Sequence, residues 1–299
     1  MSRDASKTLR VRALAKINLS LRLLGLRPDG YHELRTTLQS LALHDTLTLA
    51  PARGPLTLTS DDPGCPTDES NLVWRAAERL WRADGRKGKP AGVSIDIRKR
   101  IPMQAGLGGG SSDGASALRG LAAFWRTRVT AASLHEIART LGADVAFFVL
   151  GGTALGVGRG DVLYPLADHP PASVVIVRPG FGVSTEDAYG WWDAADAGAG
   201  PAGKALARQS MLGRLPESGN DLEAPVAAKH PEIERIVRRL LQRGAAHAAM
   251  SGSGSAVFGL FRAEPEALDA AAAAAAPGRV VTVTRTVNRR EYARLAAPG

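Results

Sequence analysis

The segment at residues 102–112 is rich in glycine and carries the clearest chemical signal in the sequence. It reads Pro102-Met103-Gln104-Ala105-Gly106-Leu107-Gly108-Gly109-Gly110-Ser111-Ser112 and lies between a strand pattern and a helix pattern. In that context glycines allow consecutive backbone N–H groups to converge on a phosphate at the start of a helix. The segment lacks the ending of a Walker loop and the spacing of a dinucleotide fingerprint. We therefore predict a phosphate-binding turn, with a flexible connector as the alternative.

A second glycine-rich segment, Met250-Ser251-Gly252-Ser253-Gly254-Ser255, lies within a strand-like pattern. Glycine weakens strand pairing, so its presence there indicates that another group approaches the backbone closely. A simple hairpin turn is the alternative interpretation. Because the two segments share their glycine and hydroxyl content, we expect Gly252, Ser253 and Gly254 to contact the same phosphates.

Two charged side chains could support group transfer. Asp144 precedes an apolar segment at 145–148 that must be largely buried, and Lys16 stands among apolar neighbours. A buried carboxylate is costly without a cation or hydrogen-bond donors nearby. Each residue also has an ordinary interpretation, because Asp is a good helix N-cap and a strand lysine can extend its ammonium group to water. The residues alone leave both interpretations open.

Aromatic and metal-binding candidates are few. Tyr31 and His32 follow a turn at Gly30, and an exposed aromatic pair there could stack on a nucleobase, although a solvated or half-packed pair is as common. The six histidines include no pair at metal-ligand spacing, so a metal ion would be an oxygen-bound cation carried by a nucleotide. Cys65 is the single cysteine and is expected to be an inert surface thiol.

The first part of the chain must position these groups, and it begins with β structure. Apolar residues occupy the odd positions from Leu9 to Leu23, which predicts a strand with Lys16 and Asn18 on its other face. The other elements expected in this part are strands through Leu49 and at 56–59, 93–97 and 151–160, and helices at 72–81, at 111–125 and from a Ser133/Glu136 capping box to Gly142.

The second part of the chain follows a break at Pro165 to Pro171, which predicts domains at 1–168 and 169–299. The elements expected after the break are a strand at 173–177, a helix at 232–242, a hairpin at 248–261, a helix from 265 and a strand at 280–287. This order suits an α+β layer with helices on one face of an antiparallel sheet. The glycine- and alanine-rich segment 193–204 predicts a mobile surface loop without function.

Composition and charge limit the classes of protein. The 299 residues are 44% hydrophobic, which predicts folded globular domains and excludes wholesale disorder. No apolar run approaches the ~18 residues of a membrane span and residues 1–12 lack a signal-peptide block, so we expect a cytoplasmic protein without a membrane partner. The net charge of +9 allows binding of nucleic acid or of an anionic small molecule. The scattered basic residues disfavour nucleic acid.

Together these residues resemble the GHMP small-molecule kinases over nearly the whole chain. The blocks that carry the resemblance, in the order found in that family, are 15–19, 29–34, 71–72, 102–112, 141–145, 220–223 and 251–254. The resemblance implies an N-terminal domain of the ribosomal-protein S5 domain-2-like type, a ferredoxin-like C-terminal domain and an active site in the cleft between them.

The resemblance also implies an activity and its reactants. ATP, accompanied by Mg²⁺, would be the phosphoryl donor. The Lys-x-Asn block at Lys16 and the Gly-Tyr-His step at Gly30 resemble the branch of the family that serves non-mevalonate isoprenoid synthesis. The implied acceptor is therefore 4-diphosphocytidyl-2-C-methyl-D-erythritol, phosphorylated on its 2-hydroxyl group. The expected protein is a monomer or a weak homodimer that binds small molecules and no nucleic acid.

Carried over residue by residue, the resemblance gives Asp144 the position of the catalytic base and Lys16 that of its charged partner. Residues 102–112 and 252–254 would hold the ATP phosphates, with Ser111 a candidate ligand of nucleotide-bound Mg²⁺. Tyr31 and His32 fall where the family grips cytosine, and Tyr189 falls where an aromatic ring covers the base. The residues assigned to the substrate are Asn18, Tyr31, His32, Thr185 and Tyr189.

The sequence departs from the family pattern at three positions. Asp113 and Gly114 follow Ser112 where Asn and Ala are expected, and Ala146 replaces an expected Pro. Asp113 puts an amide contact to the nucleotide in doubt and adds negative charge near the phosphates unless it points away. Two rival functions stay open: a kinase of the same family that acts on homoserine or mevalonate, and a nucleic-acid-binding module.

Overall fold

The structure is a computed structural model that describes residues 8–198 and 219–299. It contains two β-sheets, and helices cover one face of each. The strands are β1 Leu9–Leu26, β2 His32–Pro55, β3 Thr57–Ser60, β4 Ala91–Arg98, β5 Thr153–Gly158, β6 Val162–Pro165, β7 Ser173–Arg178, β8 Gly219–Asn220, β9 His247–Met250, β10 Val257–Phe261 and β11 Val280–Arg285. The helices are α1 Leu72–Ala83, α2 Gly109–Phe124, α3 Ala131–Leu141, α4 Ala143–Leu150, α5 Thr185–Gly198, α6 Glu223–Lys229, α7 Glu232–Gln242, α8 Glu264–Ala274 and α9 Arg289–Leu295.

The first sheet is built on the long antiparallel pair of β1 and β2. Its strand order is β3-β4-β2-β1-β8, and β5 extends it from the far end of β2. The pairing of β1 with β2 shifts register between Leu14 and Lys16 and again between Asn18 and Ser20. Such bulges re-aim side chains and interrupt the ladder of backbone hydrogen bonds. The segment that carries Lys16 and Asn18 is therefore the irregular part of an otherwise regular strand.

Helix α2 packs closely against the first sheet because its buried face consists of small residues. A Cβ atom at Gly120 would lie 2.9 Å from a methyl carbon of Val11, closer than real Cβ contacts allow, and 3.2 Å from one of Leu49. Ala115, Ala117 and Leu118 on the same helix are fully buried. This close approach holds α2 against β1 and β2.

The second sheet is antiparallel with the order β11-β7-β10-β9. Helix α7 buries residues with helical spacing, Ile233, Ile236, Val237 and Leu240, against it. A third apolar cluster joins the two sheets, where Ala15 and Ile17 of β1 pack with Phe258 of β10. The two halves of the molecule are therefore held together by buried apolar contacts directly behind Lys16.

The α+β architecture with two helix-covered sheets confirms the expected fold class, and most expected elements appear within two or three residues of their predicted ends. Two expectations are wrong. Helix α3 begins after Thr130, whose side chain accepts a hydrogen bond from the Ser133 N–H, so Ser133 is not the N-cap. Helix α5 continues through Gly198, so residues 193–198 are helical rather than a loop, and 199–204 lie outside the described residues.

The predicted domain boundary at 168/169 stays a prediction. Two elements that follow it in the sequence, β8 and α9, pack with the first half of the chain. Strand β8 from the second half pairs with β1 at Ser20 and Leu21. Tyr292 of α9 is buried in the core under the first sheet. In the ranges 8–198 and 219–299, no helix combines the length and the apolar character that a membrane crossing needs.

Candidate active site

A cavity of about 700 Å³ lies between the two sheets. Strand β1, the glycine-rich turn before α2, the first turn of α4, the start of α5 and the turn between β9 and β10 all contribute to its wall. The lining residues that the sequence singled out are Lys16, Asn18, Cys65, 102–111, Asp113, Asp144, Thr185, Tyr189 and 252–254. Residues far apart in sequence therefore share one cavity.

The turn at 106–109 requires glycine for both conformation and space. Gly106 and Gly108 have φ values of +75° and +72°, which side chains rarely adopt. A Cβ atom at Gly106 would lie 1.9 Å from the Ser251 carbonyl oxygen, and one at Gly108 would lie 2.8 Å from the Phe148 ring. Helix α2 then begins at the cavity without a side-chain N-cap. Its first N–H groups lack intrahelical acceptors, and with the helix dipole they favour an anion.

The second glycine-rich turn docks directly onto the first. The Ser251 hydroxyl donates to the Gly106 carbonyl at 2.9 Å and accepts a hydrogen bond from the Asn18 N–H at 3.3 Å. The Ala256 N–H donates to the Ala105 carbonyl at 3.2 Å. Ser251 thus connects β1, the first turn and the second turn at a single buried hydroxyl group.

The block at 220–223 holds the second turn in place. The Asn220 side-chain amide donates to the carbonyl groups of Met250 and Gly252 at 2.9 and 2.7 Å. The Glu223 carboxylate accepts from the Met250 N–H at 2.6 Å. Burial raises the pKa of Glu223 above its ordinary value, and that hydrogen bond opposes the rise. These polar groups support the turn from outside the cavity.

Lys16 and Asp144 form an ion pair at the centre of the cavity. Their Nζ and Oδ2 atoms are 3.5 Å apart, and the side chains are 4% and 38% exposed. Asp144 lies in the first turn of α4, where the helix dipole favours a carboxylate. The backbone N–H of Lys16 donates to the Leu107 carbonyl at 3.1 Å, which places the lysine beside the first turn. The carboxylate remains open to a ligand while the ammonium group is enclosed.

A chain of hydrogen bonds orients the Lys16 ammonium group. It donates to Asn18 Oδ1 at 2.7 Å, and Asn18 Nδ2 donates to Thr36 Oγ1 at 2.8 Å. The Thr36 hydroxyl donates in turn to the Ser20 carbonyl at 2.7 Å, which is accessible because the strand bulges there. Thr36 therefore fixes which end of the Asn18 amide faces the lysine.

An aromatic cluster adjoins the cavity through Tyr189, which lines it, whereas Tyr31 and His32 are not among the lining residues. The His32 ring centroid is 4.9 Å from that of Tyr189 and 5.5 Å from that of Trp192, and His32 Nε2 is 2.8 Å from Asp193 Oδ1. Burial raises the pKa of Tyr189 to about 12. Tyr31 is 57% exposed, as a stacking surface requires. His32, by contrast, is packed rather than exposed.

Comparison with known proteins places this chain among kinases. Family models for the GHMP kinases N-terminal domain and the GHMP kinases C-terminal domain match residues 71–152 and 198–280. A 4-diphosphocytidyl-2-C-methyl-D-erythritol kinase from Pelotomaculum thermopropionicum is 43% identical over 93% of this chain and 98% of its own. The chain belongs to the 4-diphosphocytidyl-2-C-methyl-D-erythritol kinase family. We refer to it below as the CDP-ME kinase family.

Solved structures agree with this assignment. A crystal structure titled 4-(cytidine 5'-diphospho)-2C-methyl-D-erythritol kinase is 37% identical, has a TM-score of 0.74 and covers 93% of this chain and 100% of its own. A homoserine kinase from Cytophaga hutchinsonii has a TM-score of 0.70 at 19% identity, with 100% of this chain and 99% of its own covered. That second similarity shows the shared fold alone. The sequence identity thus favours the CDP-ME kinase family over the homoserine kinase alternative.

The side chains of three residues expected to hold the ATP phosphates are buried in the protein interior. The Ser112 hydroxyl is buried and donates to the Leu14 carbonyl at 2.6 Å, and its N–H donates to the Gly108 carbonyl. Ala105 and Leu107 direct their side chains into the apolar cluster between the sheets. Within the glycine-rich turn, these three residues therefore offer a nucleotide backbone contacts at most.

The departure at Asp113 has a structural explanation. Its Oδ2 atom accepts from Lys99 Nζ at 2.7 Å, and the same ammonium group donates to Asp45 Oδ2 at 2.5 Å. Asp113 thus pairs with Lys99 in the interior. Burial raises the pKa of Asp113 to about 7, and the attraction of Lys99 opposes that rise. Burial by itself would lower the pKa of Lys99, but the two carboxylates raise it.

Sequence analysis also missed residues near the site. Thr36 was missed because a threonine in a strand is unremarkable until its partners are known, and Arg159 was missed because it is one of many scattered arginines.

The prediction of a surface thiol at Cys65 is wrong. Cys65 is buried beside the cavity, and it accepts a hydrogen bond from the Asn71 amide at 3.6 Å. Within the described ranges, no group of three or more His, Cys, Asp or Glu side chains could hold a metal ion.

Proposed function

We propose that the protein transfers the γ-phosphoryl group of ATP to the 2-hydroxyl group of 4-diphosphocytidyl-2-C-methyl-D-erythritol, giving the 2-phosphate and ADP. The observation that carries this proposal is the position of the Lys16–Asp144 pair in one cavity with the glycine-rich turn and with Tyr189. The names of relatives more than 40% identical supply the acceptor.

The phosphate end is proposed to bind ATP through the first turn of α2 and the 252–254 turn. Phosphoryl transfer has a loose transition state with charge spread over the moving group, so positioning and electrostatics dominate catalysis. The uncapped N–H groups of α2 suit the phosphates because they supply donors without a competing carboxylate. Thr185, whose hydroxyl is 3.3 Å from that of Ser253, also lines the cavity and is proposed to contact the acceptor.

Asp144 is proposed to orient the acceptor hydroxyl group and accept its proton. Its carboxylate has the required exposure, and its 3.5 Å contact with Lys16 leaves room for a competing hydrogen bond. Lys16 offsets the charge that develops as the hydroxyl attacks. Asn18 holds the lysine and, through Thr36, is itself held in one orientation.

Mg²⁺ is proposed to accompany ATP. The Ser111 hydroxyl lies on the cavity wall at the start of α2 and would serve as an oxygen ligand, which is the donor type this cation prefers. Bound there, Mg²⁺ would supply neutralisation of phosphate charge. Asp113 does not fit as a ligand because its side chain is only 2% exposed and its Oδ2 atom already pairs with Lys99.

The cytosine end is proposed to use Tyr31, His32 and Tyr189. Stacking on aromatic rings tolerates any base, whereas hydrogen-bonding groups discriminate between them. His32 is held by Asp193 and packed on Tyr189, so its ring is pre-positioned rather than mobile. We further propose that the protein is cytoplasmic, since both reactants are charged metabolites. We also propose that it is a monomer or a weak homodimer, and sedimentation velocity tests this oligomeric state.

An acceptor panel tests the function. Purified protein with ATP and Mg²⁺ is assayed for ADP release with the cytidine diphosphate acceptor, homoserine and mevalonate in parallel. We expect turnover with the first acceptor only. Absence of turnover with it, or faster turnover with another, overturns the proposal. A salt-dependent gel shift with nucleic acid at nanomolar protein would favour the nucleic-acid-binding alternative.

A further inference from the structure

Arg159 is a charged residue of the cavity wall for which the proposed mechanism has no use. It follows β5 in a short turn, and its side chain is 41% exposed. Its guanidinium carbon lies 5.0 Å from the centroid of the Tyr31 ring, so it stacks on the aromatic residue at the cytosine end. Arg159 and Asp144 line the same cavity.

The backbone places Arg159 between the aromatic end and the reacting end of the cavity. A Cβ atom built on the next residue, Gly160, would lie 3.8 Å from the Cβ atom of Ala143, the residue before Asp144. Arg159 is therefore one residue away from direct packing on the start of α4. From there the Arg159 side chain reaches Tyr31. Arg159 therefore spans the distance between the proposed cytosine site and the proposed site of the reacting hydroxyl group.

Asp161 pairs with Arg159 and also with a second arginine, Arg139. Its buried Oδ2 atom is 3.3 Å from the Arg159 guanidinium and 3.5 Å from that of Arg139. One carboxylate is thus shared by two guanidinium groups. Arg139 also has Glu136 at 3.6 Å, on the outer side of α3. Arg159 thus shares Asp161 with Arg139 and also interacts electrostatically with Asp29, and its 41% exposed guanidinium group remains accessible to an anionic ligand.

We infer that Arg159 binds the diphosphate group of the acceptor, and so selects an alcohol linked to a nucleoside diphosphate over the free alcohol. This inference rests on the proposed function. In such an acceptor the diphosphate joins the ribose of the nucleoside to the alcohol, so it must lie between the aromatic cluster that holds the base and Asp144. A planar guanidinium offers paired donors that match two phosphate oxygens. Stacking on Tyr31 presents that plane beside the base.

The test compares Arg159→Gln with Arg139→Gln, which removes an arginine from the same carboxylate but outside the cavity. Binding of CDP and of cytidine is measured by calorimetry for each protein. We expect Arg159→Gln to weaken CDP binding about 10-fold or more and to leave cytidine binding within about twofold. Arg159→Lys, which keeps the charge but loses the fork, should show an intermediate loss. Arg139→Gln should bind both ligands as the unmodified protein does.

Steady-state kinetics provide the second measurement. Arg159→Gln should raise the KM for the cytidine diphosphate acceptor and leave the KM for ATP unchanged. Equal weakening of CDP and cytidine would overturn the inference, because the arginine would then act through Tyr31. Unchanged CDP binding, or a raised KM for ATP, would overturn it too. The calorimetry needs no turnover, so it separates failure of this inference from failure of the proposed function, which the acceptor panel decides.

Discussion

Two buried lysines lie beside the glycine-rich turn, and their carboxylate partners differ in exposure to solvent. Gly108 lies against Lys16, where a Cβ atom would be 3.1 Å from Cγ, and Gly109 lies against Lys99, where it would be 3.4 Å from Nζ. Lys99 is enclosed by two carboxylates, Asp45 and Asp113, that are 0% and 2% exposed. Lys16 meets a neutral amide and the half-buried Asp144.

The difference separates a structural cluster from a reactive pair. Asp45 is saturated, since its Oδ1 atom also accepts from the N–H groups of Arg100 and Ile101 at 2.5 and 2.8 Å. A carboxylate with every oxygen engaged in the interior has no capacity for a substrate. Asp144 keeps an open face at the cavity and a longer contact with its lysine. Exposure and distance, rather than charge, therefore distinguish the two sites.

The largest expected effect comes from breaking the buried cluster of Lys99, Asp45 and Asp113. Lys99→Met leaves Asp45 and Asp113 buried without a cation, which should cost about 3–5 kcal/mol of unfolding free energy. Urea denaturation followed by circular dichroism measures it. Lys89→Met is the control, because Lys89 and its partner Glu69 are exposed and their pair should contribute under about 1 kcal/mol. Equal stability of both variants would contradict a structural role for Lys99.

Breaking the Lys16–Asp144 ion pair should lower turnover rather than the unfolding free energy. Asp144→Asn keeps the shape but removes the proton acceptor, and we expect turnover to fall roughly 10²-fold or more, with Lys16→Met behaving alike. ATP binding and unfolding free energy should stay close to those of the unmodified protein. Steady-state kinetics measures turnover, calorimetry measures ATP binding, and urea denaturation measures the unfolding free energy. Near-normal turnover of either variant would refute the assignment of the pair.

A pH series sharpens the comparison at Asp113. In the unfolded chain this carboxyl ionises near pH 4, whereas in the folded protein burial raises its pKa to about 7. The folded state therefore binds more protons between these values, and its stability falls as pH rises through that window. Asp113→Asn removes this titration. Between pH 5 and 8 the unmodified protein should lose on the order of 2 kcal/mol relative to the variant. Parallel pH profiles would contradict the expectation.

Tyr31→Ala tests the proposed cytosine end. Loss of the exposed ring should raise the KM for the cytidine acceptor about 10-fold and leave the KM for ATP nearly unchanged, because stacking on one base is worth about 1–3 kcal/mol. Steady-state kinetics with each substrate varied in turn provide the measurement. Equal changes in both constants would indicate general damage to the fold.

Thr36→Val should have the smallest effect. The isosteric change removes the acceptor for the Asn18 amide, so the amide loses its fixed orientation toward Lys16. We expect kcat to fall about fivefold with the acceptor KM little changed, consistent with one hydrogen bond of about 1 kcal/mol. Thr36→Ser keeps the hydroxyl group and should restore kcat. A serine variant as slow as valine would show that Thr36 acts through packing.

Local patterns of sequence determined much of the fold. Helix α7 begins and ends where helical spacing places it, at Glu232 and Gln242, and β1 follows the alternation from Leu9. The turn at 106–109 was predictable because positive φ values demand glycine. Residue periodicity and backbone freedom are properties of a few neighbouring residues, so a single sequence contains them.

Tertiary structure alone decided which distant groups meet. Nothing local shows that Lys16 reaches Asp144, that Asp113 turns inward to Lys99, or that Ser112 is enclosed. These contacts depend on bulges that re-aim β1 and on small residues that let α2 approach the sheet. Electrostatic environment follows from burial and partner distance, and both arise only when strands and helices from the whole chain pack together.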